Sequence, residues 1–184
     1  MTTDALWISE TFLKDNSIIN DNVDFQTLQP VIIKVQDKYL YPILGTDLFE
    51  EISGQIRANT VTALNTTLLN NYVRKCLMWY ILHESPPVFK YRFMNKGVMV
   101  KNSENSQPAD LKEIQFLMNN FKQDAEWYAE RITKYLIKNE SSYPLYRANS
   151  DLDDIRPIGN NFTSSLFLGD DGCDEGDCLK NLIK

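Results

Sequence analysis

The chain has one histidine, three cysteines and seven glycines among 184 residues, and each scarcity removes chemistry. His83 stands alone, so a histidine-based triad would need it as base beside an activated serine or cysteine, and no GxSxG elbow frames a serine. The glycines form neither GxxxxGKS/T nor GxGxxG, so no phosphate-cradling loop is written here. Cys76 lies in an apolar helical run and reads as a small core residue. Cys173 and Cys178 fit neither a CxxC redox pair nor a complete zinc set. No apolar stretch approaches the roughly 20 residues that span a bilayer. Met1-Thr2-Thr3-Asp4 opens without the basic and apolar regions of a secretion signal. The expectation is a cytoplasmically made protein with reduced thiols, no membrane partner, no metal and no cofactor.

Positive charge is also in short supply. The net charge is -6. Residues 149–184 hold three Lys/Arg against eight Asp/Glu, which places -5 in the last fifth of the chain and -1 in the rest. Tight nucleic-acid binding is not expected without a phosphate-neutralising patch. The run Asp170-Asp171-Gly172-Cys173-Asp174-Glu175-Gly176-Asp177 invites a calcium reading but misses the EF-hand spacing. It reads instead as a solvated acidic segment.

What the chain does have is helical periodicity. Phe25, Leu28, Ile32, Val35 and Tyr39 step by three or four after Asp24, a suitable N-cap. This predicts a helix over about 25–41, with a regular start nearer Thr27 that would put Pro30 in its first turn, and an end at Tyr41-Pro42. Gly45 allows a sharp turn, Thr46 or Asp47 would cap a short helix to about Arg57, and 58–65 reads as a loop. A third helix, about 67–84, carries apolar residues on two stripes and should be central. Ser85-Pro86-Pro87 would stop it. The longest helix, about 108–139, carries Leu111, Ile114, Met118, Phe121, Ala125, Tyr128, Ile132 and Leu136. At that length one end should protrude or meet a neighbour. On this helix Glu126 and Glu130 share a face, where ion pairing with Arg131 and Lys134 is expected rather than acid–base chemistry.

Between the last two helices the period changes from helical to alternating around Asn95-Lys96-Gly97, which predicts a β-hairpin at about 88–101. The expected fold is therefore mainly α. It is a four-helix bundle-like domain over 24–147 with the hairpin inserted between helices three and four. An N-terminal arm of 1–23 precedes it, packing on its own domain or on a neighbour, and an extended acidic tail of 148–184 follows. Aromatic and apolar residues outside the helical stripes are the candidate partner contacts: Phe89, Tyr91, Phe93, Met99, Tyr143, Tyr146, Phe162, Leu166, Phe167 and Leu168.

The order of these motifs carries a resemblance. Gln36-Asp37-Lys38-Tyr39-Leu40-Tyr41-Pro42-Ile43-Leu44-Gly45-Thr46 is followed by Asn95-Lys96-Gly97-Val98. Then come Asp124-Ala125-Glu126-Trp127-Tyr128, Arg131 through Leu136, and Tyr143-Pro144-Leu145-Tyr146. Over residues 24–147 the chain resembles head–tail connector (adaptor) proteins of tailed bacteriophages, ring proteins of the neck of crAss-like phages among them. The resemblance implies a structural, non-enzymatic virion protein, assembled in the bacterial cytoplasm and located at the head–tail interface. It implies a homo-oligomeric, dodecameric ring joining the portal to the tail or to other neck rings, with genomic DNA passing through the lumen without specific binding. Two other classes stand beside it: a small adaptor module binding a basic partner through its acidic tail, and a metal-dependent enzyme using His83 and nearby carboxylates.

Overall fold

The computed structural model describes residues 4–94, 97–100, 110–147, 155 and 157. It is mainly helical. Helix α1 (Glu10–Asn16) starts at Ser9, whose side chain accepts from the Phe12 N–H. Helix α2 (Phe25–Val35) begins under its Asp24 cap, which accepts from the Gln26 N–H at 3.0 Å. The regular helix thus starts at Phe25, not near Thr27, and Pro30 lies inside it. A π-helical turn, Gln36–Leu40, then leads into helix α3 (Tyr41–Leu44). The expected stop at Tyr41-Pro42 is corrected: the π turn puts Pro42 at the start of a fresh helical turn, where a missing N–H costs least.

Gly45 closes α3 and opens helix α4 (Thr46–Ala58) with φ of 78°, a conformation that strains any residue with a Cβ. Neither Thr46 nor Asp47 is the N-cap, because both lie inside the helix. The Thr46 hydroxyl instead meets Tyr41 and accepts from the Ile155 N–H, while the Thr46 N–H donates to the Ile155 carbonyl.

Helix α5 (Ala63–Leu68) starts at Thr62, inside the expected loop. A second π turn, Leu69–Val73, joins it to helix α6 (Arg74–Lys90). Helix α6 is the centre of the fold, with buried residues at 76–78 and 80–82 around most of its circumference. It does not stop at Ser85-Pro86-Pro87. The two prolines cannot bond the Leu82 and His83 carbonyls, but the Ser85 hydroxyl donates to the Ile81 carbonyl and Phe89 packs on the core. Burial here outweighs the lost ladder bonds.

Strands β1 (Tyr91–Met94) and β2 (Gly97–Val100) pair antiparallel, from Tyr91 opposite Val100 to Met94 opposite Gly97. Helix α7 (Leu111–Lys138) follows, begun by a capping box in which Asp110 and Glu113 each accept from the other's backbone N–H. It runs antiparallel to α6. Tyr72 stacks on Tyr135, Trp79 meets Phe121, and the His83 ring nitrogen Nδ1 donates to the Met118 carbonyl at 2.8 Å. Two 3-10 turns, Glu140–Ser142 and Pro144–Arg147, close the described body.

The N-terminal segment is part of this body. Ala5, Trp7, Ile8 and Leu13 are buried in the common core. The buried Gln36 side chain bridges this segment as a peptide group would, donating to the Ala5 carbonyl at 2.8 Å and accepting from the Trp7 N–H at 3.0 Å. Trp7 stacks on Phe49 and donates its indole N–H to Ser53.

Candidate functional site on helix α7

Helix α7 has 28 residues, so it is roughly 42 Å long. Its buried residues are Phe121, Ala125, Ile132 and Leu136. All four lie in the C-terminal two thirds. There Ala125 allows close approach of α6, and the Cys76 thiol sits 3.6 Å from the Ala125 carbonyl. Burial pushes the Cys76 thiol far up from its ordinary pKa, so it stays protonated as a core group.

The first ten residues of α7 bury nothing. Yet Leu111 is 50% exposed, Phe116 69% and Leu117 42%. Beside them runs an apolar groove of about 290 Å³ between α7, the end of α6 and the loop before α2. Ile18, Ile19, Val23, Pro86, Phe89 and Leu117 are among its walls, and Ile18 is itself 73% exposed. Leu117 belongs both to the groove and to the exposed apolar residues of α7, a surface that water covers poorly.

The groove is held firm from behind. Glu84 of α6 is nearly buried and receives Lys34 at 2.6 Å, Lys38 at 2.8 Å and the Tyr39 hydroxyl at 2.5 Å, all from α2 and its π turn. Burial alone would raise the Glu84 pKa, but these three donors outweigh it and hold the carboxyl down at about 2. Tyr39 also stacks on Tyr80 at 4.0 Å. The cluster fastens α2 to α6 at the level of the groove.

The predicted contact residues divide into four groups. Phe89 does not lie on a strand: it sits half-buried in the last turn of α6 and lines the groove. Tyr91 opens β1, and Phe93 and Met99 lie on β1 and β2 opposite Val98 and Arg92. Tyr143 and Tyr146 are corrected to core residues, each 2% exposed, with the Tyr143 hydroxyl donating to the Leu64 carbonyl. Phe162, Leu166, Phe167 and Leu168 lie outside the described residues. Sequence reasoning passed over Phe116 and Leu117, because they fall beside the regular stripe that predicted the buried face.

Of the pairing expected on the surface of α7, Lys134–Glu130 forms at 2.7 Å, while Glu126 takes Lys122 at 3.5 Å, a partner the sequence reading did not name. Arg131 is not among them: its guanidinium lies 4.9 Å from the Trp127 ring centroid. Among the described residues, no cluster of three or more His, Cys, Asp or Glu could hold a metal ion, and no helix is long and apolar enough to cross a membrane.

No curated protein and no solved structure matches the chain. A family model does match, over residues 40–156, which takes in everything from the end of the first π turn and α3 through α7 and the 3-10 turns that follow it. The chain belongs to that family, a family of unknown function (DUF6712).

Proposed function

We propose that the protein is a structural ring subunit of a phage neck, in which copies of a mainly helical domain assemble around the DNA channel between portal and tail. The domain would be a four-helix connector bundle bearing a β-hairpin, with the ring dodecameric. The observation that supports this is the unburied first third of α7. Leu111, Phe116 and Leu117 are exposed on a capped helix, and Leu117 also lines a groove with Ile18 and Phe89. A protein working alone has little use for so much apolar surface, whereas an assembly subunit covers it with its neighbour. The two-stranded sheet adds a second feature suited to assembly, since an isolated pair of strands is marginal in water without something to pack on.

The reading makes the protein's chemistry that of contact rather than turnover. Aromatic and aliphatic anchors hold subunits together, and the genome passes without specific recognition. Light scattering on the purified chain, alone and mixed with purified portal, tests it. The expected result is a mass far above the 21.3 kDa monomer in at least one of the two samples. A chain that remains monomeric and joins neither portal nor tail complexes sinks the proposal.

A further inference from the structure

Phe116 and Trp127 are the aromatic residues of α7 that water reaches most, at 69% and 55% exposure. Eleven residues separate them. That is three turns of helix to within about 20°, so they stand in line on one side. This side lies about 160–180° round the helix from the buried Ala125. It is also about 100° from Leu117, which borders the groove. Trp127 is exposed without being loose. Its ring meets Tyr128 edge-on at 4.9 Å, and the Arg131 guanidinium lies 4.9 Å from its centroid. An aromatic side chain ordered in advance loses little entropy when it is covered, which suits an interface anchor.

The charges beside this line are ordered by sign. On one flank Glu113 stands at the N-terminal end and Arg131 at the C-terminal end. On the other flank the order is reversed, with Lys112 first and Glu130 last. Each pair is eighteen residues apart, about five turns, so its two members share a flank. All four are exposed. Among the described residues, Lys112 and Arg131 make no salt bridge. Glu113 gives one carboxylate oxygen to the Asp110 N–H and keeps the other. Glu130 holds only Lys134, at 2.7 Å.

Turning such a helix end for end sets each charge against its opposite. A second α7, antiparallel, with its Trp127 level with Phe116, completes the pattern. A two-fold axis then crosses the pair midway between these aromatics, and Asn120 falls level with the partner's Gln123. Glu113 comes within one residue of the partner's Arg131, and Lys112 within one residue of the partner's Glu130, an offset of about 1.5 Å. The two-fold axis keeps each flank against the same flank of the partner, so every contact occurs twice. A parallel pair would instead bring like charges together. We propose that two copies of the chain pair through the outer face of α7, antiparallel, around Phe116 and Trp127. The occupant is a second copy because the charge order of this face is complementary to itself. The contact closes at two copies, whereas a ring contact runs head to tail. The pairing is therefore independent of the ring reading, and it leaves the groove at Leu117 free.

Charge exchange in the full chain, read by sedimentation equilibrium, tests the pairing. Glu113→Arg and Arg131→Glu should each weaken self-association about tenfold or more. The chain carrying both changes should recover it, at the parent's net charge of -6. The two positions are about 27 Å apart along one helix, so recovery requires a second copy. Lys112→Glu with Glu130→Lys repeats the test on the other flank and leaves the capping box intact. Trp127→Ser should weaken association while the melting curve stays in place. A chain that is monomeric at every concentration overturns the proposal. So does association that the single changes leave untouched or that the double changes fail to restore, and in these cases a ring built through other contacts still stands. A dimer that responds as expected but joins neither portal nor tail complexes upholds the pairing and removes the ring. Association seen only with added single-stranded oligonucleotide gives Trp127 and Arg131 to a phosphate backbone and overturns the pairing as well.

Discussion

The two ends of helix α7 have similar sequences and different surroundings. From Phe121 to Leu136 the stripe residues Phe121, Ala125, Ile132 and Leu136 are buried against α6 and its neighbours. From Leu111 to Asn120 the apolar residues are as frequent, and none is buried. Periodicity tells which residues share a face. It does not tell whether anything lies opposite that face. At the C-terminal end α3, the second π turn and the 140–147 segment supply neighbours, with Tyr72, Tyr135 and Tyr143 forming a continuous run of rings. At the N-terminal end α6 is running out, and its other side is already taken by α2 through Glu84.

The largest effect should come from the buried end. Ile132 is fully buried, and Ile132→Ala should cost about 2–4 kcal/mol through lost burial and the cavity left behind. Urea unfolding would measure it as a lower midpoint at unchanged slope. In the same protein, amide hydrogen exchange should separate the two ends. Amides of 125–136 should exchange only with global opening, and those of 113–118 through local fraying. Equal protection of both ends in the isolated monomer would dissolve the distinction.

A smaller effect is expected at the clamp behind the groove. Glu84→Gln leaves Lys34 and Lys38 without their carboxylate. Both lysines are about half exposed, so solvent screening keeps the cost to about 1–2 kcal/mol. The pH dependence has a definite sign. The folded-state pKa of Glu84 is about 2, below the ordinary unfolded value of about 4.3. Its contribution is therefore complete above about pH 4.3 and is lost as pH falls toward 2. Thermal melts between pH 5 and pH 2 should show the parent losing its advantage over Glu84→Gln across that window. A constant difference would place the stabilisation elsewhere.

How much of this was legible in the sequence follows from the range of the forces involved. The helical stripes, the Asp24 cap, the Gly45 turn, the centrality of α6 and the core role of Cys76 are carried by residues close in sequence. The errors came where distant contacts override local rules. Pro86 and Pro87 are local helix breakers, yet Phe89 is packed and the helix continues past them. Thr46 is a local cap candidate, yet its hydroxyl is taken by Ile155, 109 residues away. Trp7 lies in an arm that the sequence left to pack on its own domain or on a neighbour, and the Gln36 amide, 29 residues on, decides for its own domain. Tyr143 and Tyr146 fall outside any helical period, which says nothing of burial. The candidate site was the least legible part, because Phe116 and Leu117 differ from stripe residues only in having nothing opposite them.

The smallest expected stability effect is the most informative about function. Phe116 is 69% exposed and touches little, so Phe116→Ser should move the unfolding free energy of the isolated chain by less than about 0.5 kcal/mol. If the first third of α7 is covered by a neighbouring subunit, the same change removes a buried aromatic from that contact. Truncated interface anchors commonly cost 2 kcal/mol or more, roughly a thirtyfold loss of affinity. Assembly measured by light scattering or sedimentation should therefore fall sharply while the melting curve stays in place. A variant that assembles like the parent would show that this end of α7 is merely exposed. A variant that loses stability instead would show that Phe116 belongs to the fold, and the difference between the two ends of the helix would disappear.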